Sequence, residues 1–174
     1  MKQERLNLYI VDIKYVRDLA KKDDNVLSVS PQSEKDRRPF VGIIIICKDK
    51  KYCIPLSSPK KKHETMKNDV DFMKIYDGER MVGVLNFNNM IPIDERYAHV
   101  MDLKIKRDDL IPIVYYKKMC TKQLKWCREN QQKIIKKANK LYWMITEGKA
   151  NSNLKKRCCD FIKLEKILER KISG

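Results

Sequence analysis

The chain has 174 residues, 43% of them apolar, and a formal net charge of +16 from 39 Lys and Arg against 23 Asp and Glu. This length is typical of one domain, and this apolar fraction can fill one core. No window approaches the ~18 consecutive apolar residues of a membrane-spanning helix, and the first residues lack the apolar segment of a signal peptide. We therefore expect a cytoplasmic protein whose excess charge attracts polyanions, with nucleic acid the leading partner and an anionic membrane the second.

Cysteine and histidine usage gives no metal-binding pattern. The six cysteines include no C-x-x-C, and Cys158 and Cys159 are adjacent, which suits neither a zinc site nor an easy disulfide. His63 and His99 are isolated, and no acidic cluster accompanies either. The sequence also lacks the phosphate-binding-loop, zinc-protease and serine-hydrolase motifs. We expect reduced cysteines packed in the core, and neither a metal nor another cofactor.

The first part of the chain combines short apolar segments with a long polar stretch. Residues 6–11 alternate loosely and predict a strand. Asp12 can cap a following helix that carries Val16 and Leu19 on its apolar side. Residues 23–38 are polar and predict a long loop, and loops of this length in a compact domain are often functional.

The centre of the sheet is predicted by a continuous apolar run. Residues 41–47 contain four consecutive isoleucines, which is typical of a strand covered on both faces. Residues 48–51 form a polar turn, and residues 52–56 then predict the returning strand of a hairpin. This hairpin presents the residues after 56 to solvent.

Further strands follow along the chain. Residues 70–76 and 81–87 predict a second hairpin, because Asp77-Gly78 between them is a strong turn pair. Residues 90–93 cross through a proline, and residues 97–103 alternate again as a short late strand.

After Pro112 the apolar residues recur at helical spacing. A break near Asn130 divides this stretch into two predicted helices, and Gly148 ends the second. Residues 154–172 predict one last helix. The opposite faces of these helices are rich in lysine, which predicts either an ordinary solvated surface or a groove for the RNA backbone.

Strands come first and helices last, which predicts an α+β fold with a mostly antiparallel sheet. We expect a single domain over residues 1–174, with a β-rich core at 6–104 and a helical C-terminal part at 108–172.

The segment that leaves the central hairpin carries the residues best suited to chemistry. Two prolines bracket Ser57 and Ser58, and Lys60, Lys61, Lys62 and His63 follow at once. Prolines suit the end of a strand or a rigid loop, so the two hydroxyls are held on a stiff backbone. Hydroxyls, fixed cations and an imidazole can position and stabilise a phosphate. The alternative interpretation is a solvated loop without a role.

Residues 56–63, Leu-Ser-Ser-Pro-Lys-Lys-Lys-His, resemble the Leu-Thr/Ser-Ser-Pro-Lys-Lys-x-His signature of the ToxN/AbiQ family. Residues 39–43, 90–93 and 116–148 fit the same family, so the resemblance covers nearly the whole chain. The family consists of endoribonuclease toxins of type III toxin–antitoxin systems, whose antitoxin is an RNA. The resemblance implies a small, strongly bent sheet related to the Kid/MazF-like toxin barrels, with helices packed around it.

The resemblance also implies roles for individual residues. Ser58 matches the family's essential serine, Ser57 its hydroxyl neighbour and Lys60 its essential lysine. Arg38 lies where family members place a catalytic lysine. The loop tyrosine found upstream of that lysine is missing, and Glu34 is nearest in register. For His63, proton transfer and a structural role both remain open.

The expected reaction is metal-free cleavage of RNA. The ribose 2′-hydroxyl attacks the phosphate, and the products are a 2′,3′-cyclic phosphate and a 5′-hydroxyl. DNA lacks this nucleophile and should survive. A non-catalytic RNA-binding regulator is the first alternative and a DNA-binding protein the second. The predicted RNA contacts are Lys35, Arg37, Lys61, Lys62, Lys118, Lys122 and Lys125.

The family resemblance implies the partners as well. A cognate antitoxin RNA of pseudoknot repeats is expected to be processed by the toxin and to inhibit it in a closed toxin–RNA assembly. Messenger RNA is the expected substrate, with abortive infection as a phage defence the implied role. Neither a membrane nor DNA is expected as a partner.

Overall fold

A computed structural model describes residues 1–27 and 40–174. Within these ranges one sheet contains seven strands in the order β4-β5-β3-β2-β1-β7, with β6 beside β3, and every pairing is antiparallel. The strands are β1 (Leu8–Val11), β2 (Phe40–Cys47), β3 (Lys50–Ser57), β4 (Phe72–Asp77), β5 (Arg80–Asn86), β6 (Ile91–Pro92) and β7 (Ala98–Val100).

Among the described residues, two α-helices lie between strands and four follow the last strand. The helices are α1 (Ile13–Ala20), α2 (Lys61–Thr65), α3 (Ile111–Glu129), α4 (Gln131–Thr146), α5 (Ser152–Arg157) and α6 (Phe161–Ser173). Short 3-10 turns at Phe87–Asn89 and Glu95–Tyr97 flank β6. The predicted order of a β-rich part followed by a helical part is thus observed.

The hairpin of β2 and β3 is the centre of the sheet, as predicted. Its turn residues Lys48 and Asp49 have φ angles of 47° and 61°, the left-handed conformation that matches the twist of a tight hairpin. Gly42 lies opposite Pro55. A Cβ atom at Gly42 would be 2.4 Å from the carbonyl oxygen of Ile54, so only glycine permits this close approach of the two strands.

The strand β3 changes its partner near its end, which bends the sheet. Residues 50–55 of β3 pair with β2. Leu56 and Ser57 instead pair with Leu85 and Val84 of β5. The β4–β5 hairpin forms across Gly78, whose φ is 61°, as its turn sequence predicts. Ser57 therefore ends the central strand at the point where the second hairpin joins it.

The C-terminal helices cover the sheet. The predicted break lies at Asn130, between α3 and α4, and Gly148 follows α4 with a φ of 68°. The prediction of one last helix over 154–172 is wrong, because α5 and α6 are separate. Asp160 caps α6 by accepting the Lys163 backbone N–H at 3.1 Å, and the Cys159 N–H donates to the Asn88 carbonyl at 2.9 Å.

A buried carboxylate attaches α6 to the central strand. Glu165 accepts hydrogen bonds from the Tyr52 hydroxyl at 2.6 Å and the Tyr142 hydroxyl at 2.8 Å. Lys50 donates to its second oxygen at 2.5 Å. Burial would raise the pKa of Glu165, but these donors outweigh burial and hold the pKa below its ordinary value. The charge is thus compensated where the helix meets the sheet.

The cysteines lie in the interior of the protein. All six cysteines are buried and free of disulfides, as the sequence predicts. Among the described residues, no helix is long and apolar enough to cross a membrane.

Candidate active site

The side chain of Ser57 is tied to the neighbouring strand. Asn86, the last residue of β5, donates a hydrogen bond from its Nδ2 to the Ser57 Oγ at 3.0 Å. The Ser57 hydroxyl therefore accepts from the sheet and retains its own proton for donation. Ser57 is half-buried, whereas Ser58 is exposed. The first hydroxyl is thus held by the sheet, and the second is presented to solvent.

The backbone of Lys60 is held by the imidazole of His63. The Lys60 N–H donates to His63 Nδ1 at 2.8 Å, and the His63 N–H donates to the Lys60 carbonyl at 2.8 Å. This reciprocal pair closes the first turn of α2, a helix of five residues. The Lys60 side chain is exposed, so the contacts position its backbone and leave its ammonium group open to solvent.

His63 is buried although it lies in a lysine-rich segment. Its side chain is 4% exposed, and its ring lies 5.5 Å from that of Phe72, measured between centroids. Burial lowers the pKa of His63, and the charges of Lys62, Lys60 and Lys74 lower it further. The neutral imidazole has its proton on Nε2, because Nδ1 accepts a hydrogen bond. The sequence left proton transfer and a structural role open for His63, and this geometry supports the structural role.

The surface of the loop is strongly positive. Lys60, Lys61 and Lys62 are exposed, and Lys74 of β4 reaches the carbonyl of Glu64 at 3.4 Å. An anion that approaches Ser58 would thus meet a positively charged surface.

Sequence reasoning missed a contact that attaches α3 behind the site. The buried Gln123 donates from Nε2 to the Val82 carbonyl at 2.7 Å. A Cβ at Gly83 would lie 2.7 Å from that Nε2 and 3.2 Å from the Ser57 carbonyl oxygen. Glycine at this position therefore lets α3 pack against the end of β3. Neither Gln123 nor Asn86 belongs to a sequence pattern, so only the structure reveals them.

The sequence matches the family model described as "Toxin ToxN, type III toxin-antitoxin system" over residues 7–169. The chain belongs to this family.

Individual ToxN-family proteins support this membership over nearly full length. The chain is 30% identical over 164 residues to the endoribonuclease ToxN of Pectobacterium atrosepticum, covering 92% of this chain and 90% of that one. It is 29% identical over 174 residues to the endoribonuclease AbiQ of Lactococcus lactis subsp. lactis, covering 95% and 87%. The resemblance inferred from residues 56–63 is confirmed, and these named relatives are endoribonucleases, as expected.

The fold also matches that of a structural neighbour from a type III toxin–antitoxin system. A structure described as showing selective toxin inhibition by a non-coding RNA pseudoknot in type III toxin–antitoxin systems superposes with a TM-score of 0.78. The two sequences are 26% identical, and the match covers 98% of this chain and 100% of the neighbour. The predicted α+β class with a bent antiparallel sheet is therefore confirmed.

Three of the predicted RNA contacts of this ToxN-family chain lie on one helix. Lys118, Lys122 and Lys125 lie on α3 and are exposed. Lys122 also pairs with Asp77 at 2.7 Å, at the tip of the β4–β5 hairpin. The predicted site residues Lys35, Arg37 and Arg38 lie outside the described residues. Glu34 lies outside them as well.

The described residues contain no group of three or more His, Cys, Asp or Glu side chains arranged to hold a metal ion. The side chains gathered at the loop are instead hydroxyls, amides, ammonium groups and one buried imidazole. These can orient a hydroxyl and stabilise negative charge on a phosphate.

Proposed function

We propose that this chain is a metal-independent, sequence-specific endoribonuclease toxin. In the proposed reaction the ribose 2′-hydroxyl attacks the adjacent phosphate, so that a 2′,3′-cyclic phosphate and a 5′-hydroxyl result. The RNA supplies its own nucleophile, and the protein has to orient that hydroxyl and stabilise the charge that develops on the phosphate.

One observation carries the proposal. The exposed Ser58 lies between two residues whose conformations are each held by a hydrogen bond. Ser57 on one side is held by Asn86 at 3.0 Å. Lys60 on the other side is held by His63 at 2.8 Å. A solvated loop without a role does not need two separate supports, whereas a site that must meet a transition state at fixed distances does.

The proposed roles follow from exposure and chemistry. Ser58 positions the 2′-hydroxyl and holds its proton rather than acting as the base, because an unassisted serine is a poor base at neutral pH. The Lys60 ammonium stabilises the dianionic phosphate in the transition state. Ser57 fixes the strand end, and His63 positions Lys60. Arg38 remains a proposed catalytic cation, as the family resemblance implies.

The proposed partner is a cognate antitoxin RNA. It lies along the basic faces of the C-terminal helices and threads one strand into the Ser57–His63 loop, so inhibition is occupancy of the active site. The basic face of α3 is the one that carries Lys118, Lys122 and Lys125. The pseudoknot described for the structural neighbour supports a folded RNA in this role. Processing of the repeat RNA by the same site and a closed toxin–RNA assembly belong to the same proposal, as does cleavage of messenger RNA.

The purified protein should be incubated with RNA and with DNA of the same sequence in EDTA. We expect the RNA to be cut and the DNA to survive, because only RNA carries the 2′-hydroxyl. Activity that is lost in EDTA and restored by a divalent ion would overturn the metal-independent reaction. Binding without cleavage under every condition would favour the non-catalytic regulator.

A further inference from the structure

A concave surface that includes no residue of the Ser57–His63 loop lies between residues 5–8, residues 100–103 and one side of α3. Its volume is about 770 Å³, within the range of ordinary small-molecule and nucleotide pockets. Its apolar floor consists of Leu8, Val100, Met101, Leu103 and Leu124. We call this surface the α3 pocket.

The rim of the α3 pocket is positively charged. Arg5, Lys125 and Arg128 line it together with a single acid, Glu129. None of these three cations forms an ion pair with a carboxylate among residues 1–27 and 40–174. An apolar floor beneath uncompensated cations is complementary to a ligand with a flat apolar body and an anionic group.

The orientation of Arg128 is fixed by neutral acceptors. Its Nε donates to the Leu6 carbonyl and one terminal nitrogen donates to Asn7 Oδ1, each at 2.8 Å. Burial lowers the pKa of Arg128, and the neighbouring charge of Arg5 lowers it further. A half-buried guanidinium that is held rigidly beside another cation favours the binding of an anion.

The α3 pocket is distinct from the Ser57–His63 loop. On a helix with 3.6 residues per turn, Thr121, Leu124 and Arg128 share one side, and all three line the pocket. Gln123 faces the opposite direction, toward β5 and the end of β3. Lys125 lines the pocket and belongs to the basic face of α3, so this face connects the pocket to the rest of the proposed RNA path.

We infer that the α3 pocket binds one unstacked nucleotide of a single-stranded RNA segment, remote from the scissile phosphate. The base packs on the apolar floor, and its phosphate lies between Arg5 and Arg128. Bases of single strands are free to be extruded and packed against protein surfaces in this way. This inference rests on the proposed function in one respect, namely that RNA is the ligand of the protein.

The test is RNA binding in a Ser58→Ala background, where cleavage does not interfere. Thr121→Trp places a large side chain in the pocket without changing the charge, and Gln132→Trp on the exposed start of α4 is its control. Arg5→Gln removes one rim cation, and Arg170→Gln on α6 is the matched control. The probe is a short single-stranded RNA that contains 4-thiouridine, measured by anisotropy over a range of salt concentrations and by ultraviolet cross-linking.

We expect Thr121→Trp to weaken RNA binding by about fivefold or more, the effect of losing the contacts of one base, with an unchanged salt slope. Arg5→Gln should flatten the slope by about 0.7. Cross-links should map to the peptide that contains Val100 and Met101, and Thr121→Trp should remove them.

Two negative results are distinguishable. If the wild-type protein cuts RNA but both pocket variants bind RNA as their controls do, the pocket inference is overturned while the proposed function stands. If the wild-type protein neither binds nor cuts RNA, the proposed function fails as well.

Discussion

His63 Nδ1 accepts a hydrogen bond from the backbone N–H of Lys60 at 2.8 Å. The accepting residue, His63, is only 4% exposed. This contact links the shape of the Ser57–His63 loop to the protonation state of one imidazole. A protonated Nδ1 is a donor and cannot accept that hydrogen bond. The neutral form is therefore required, and the lowered pKa of His63 favours it.

We predict that RNA cleavage is constant near neutral pH and declines only at a pH below the ordinary histidine pKa of about 6.5, because the folded protein protonates His63 less readily than a free histidine. The pKa of folded His63 is lowered, so the unfolded state binds the proton more readily. The free energy of unfolding should therefore also fall with pH in this range. A pH series of initial cleavage rates, with chemical denaturation at each pH, measures both quantities.

The control for this prediction is His63→Gln, since glutamine at this position of a helix can accept the same backbone N–H without titrating there. Its rate should lack the acidic decline. If cleavage instead rises as the pH falls and His63→Gln is inactive at every pH, His63 acts as a general acid and the positioning role is wrong.

Asn86 is predicted to support cleavage through Ser57 alone. Asn86→Ala removes the 3.0 Å donor to the Ser57 Oγ, and loss of one hydrogen bond worth about 1 kcal/mol should slow cleavage roughly five- to tenfold. In a Ser57→Ala background the same substitution should have no further effect, because its partner is already absent. Single-turnover rates of the wild type, Asn86→Ala, Ser57→Ala and the double variant measure this coupling. If the two rate losses are additive, Asn86 does not act through Ser57.

Lys60 is predicted to act through its charge. Lys60→Ala should slow cleavage by about a hundredfold or more, the usual effect of removing one group that stabilises transition-state charge. Lys60→Arg retains the charge and should recover part of the rate, while Lys67→Ala, an exposed lysine after α2, serves as the control. Equal rates for Lys60→Ala and Lys67→Ala would remove Lys60 from the mechanism.

The basic face of α3 is predicted to bind the RNA backbone. Replacing Lys118, Lys122 and Lys125 with glutamine should weaken RNA binding. The salt slope of log affinity should flatten by about two units if each lysine neutralises one phosphate. Because Lys122 also pairs with Asp77 at 2.7 Å, its share should be the smallest. Salt titrations of RNA binding should be carried out for the wild type, the triple variant and Ser58→Ala. A triple-variant slope identical to that of the wild type would show that the basic face of α3 is merely solvated.

Large parts of the fold could be predicted because local patterns and tertiary structure agree. The isoleucine run of β2 and the turn at Asp77-Gly78 specify the two hairpins, and Asn130 separates α3 from α4. The division of α5 from α6 could not be predicted, since Leu154, Cys158 and Phe161 continue the helical spacing across the break.

The sequence indicates which residues form the candidate site, but not the hydrogen bonds that hold them in place. Ser57, Ser58 and Lys60 stand in a distinctive string, and their catalytic roles remain predictions. The short helix α2 was missed, because a polar stretch of this length has no apolar period and its first turn depends on the contact of His63 with Lys60. The contacts of Asn86 join residues far apart in the chain, which no local pattern encodes.

The most direct test of the proposed reaction is the chemical identity of the RNA ends after cleavage in EDTA. We predict 2′,3′-cyclic phosphate and 5′-hydroxyl ends from the wild-type protein, and no cleavage by a folded Ser58→Ala variant that still binds RNA. Products with 5′-phosphate and 3′-hydroxyl ends, or near-normal cleavage by Ser58→Ala, would contradict attack by the 2′-hydroxyl at the Ser57–His63 loop.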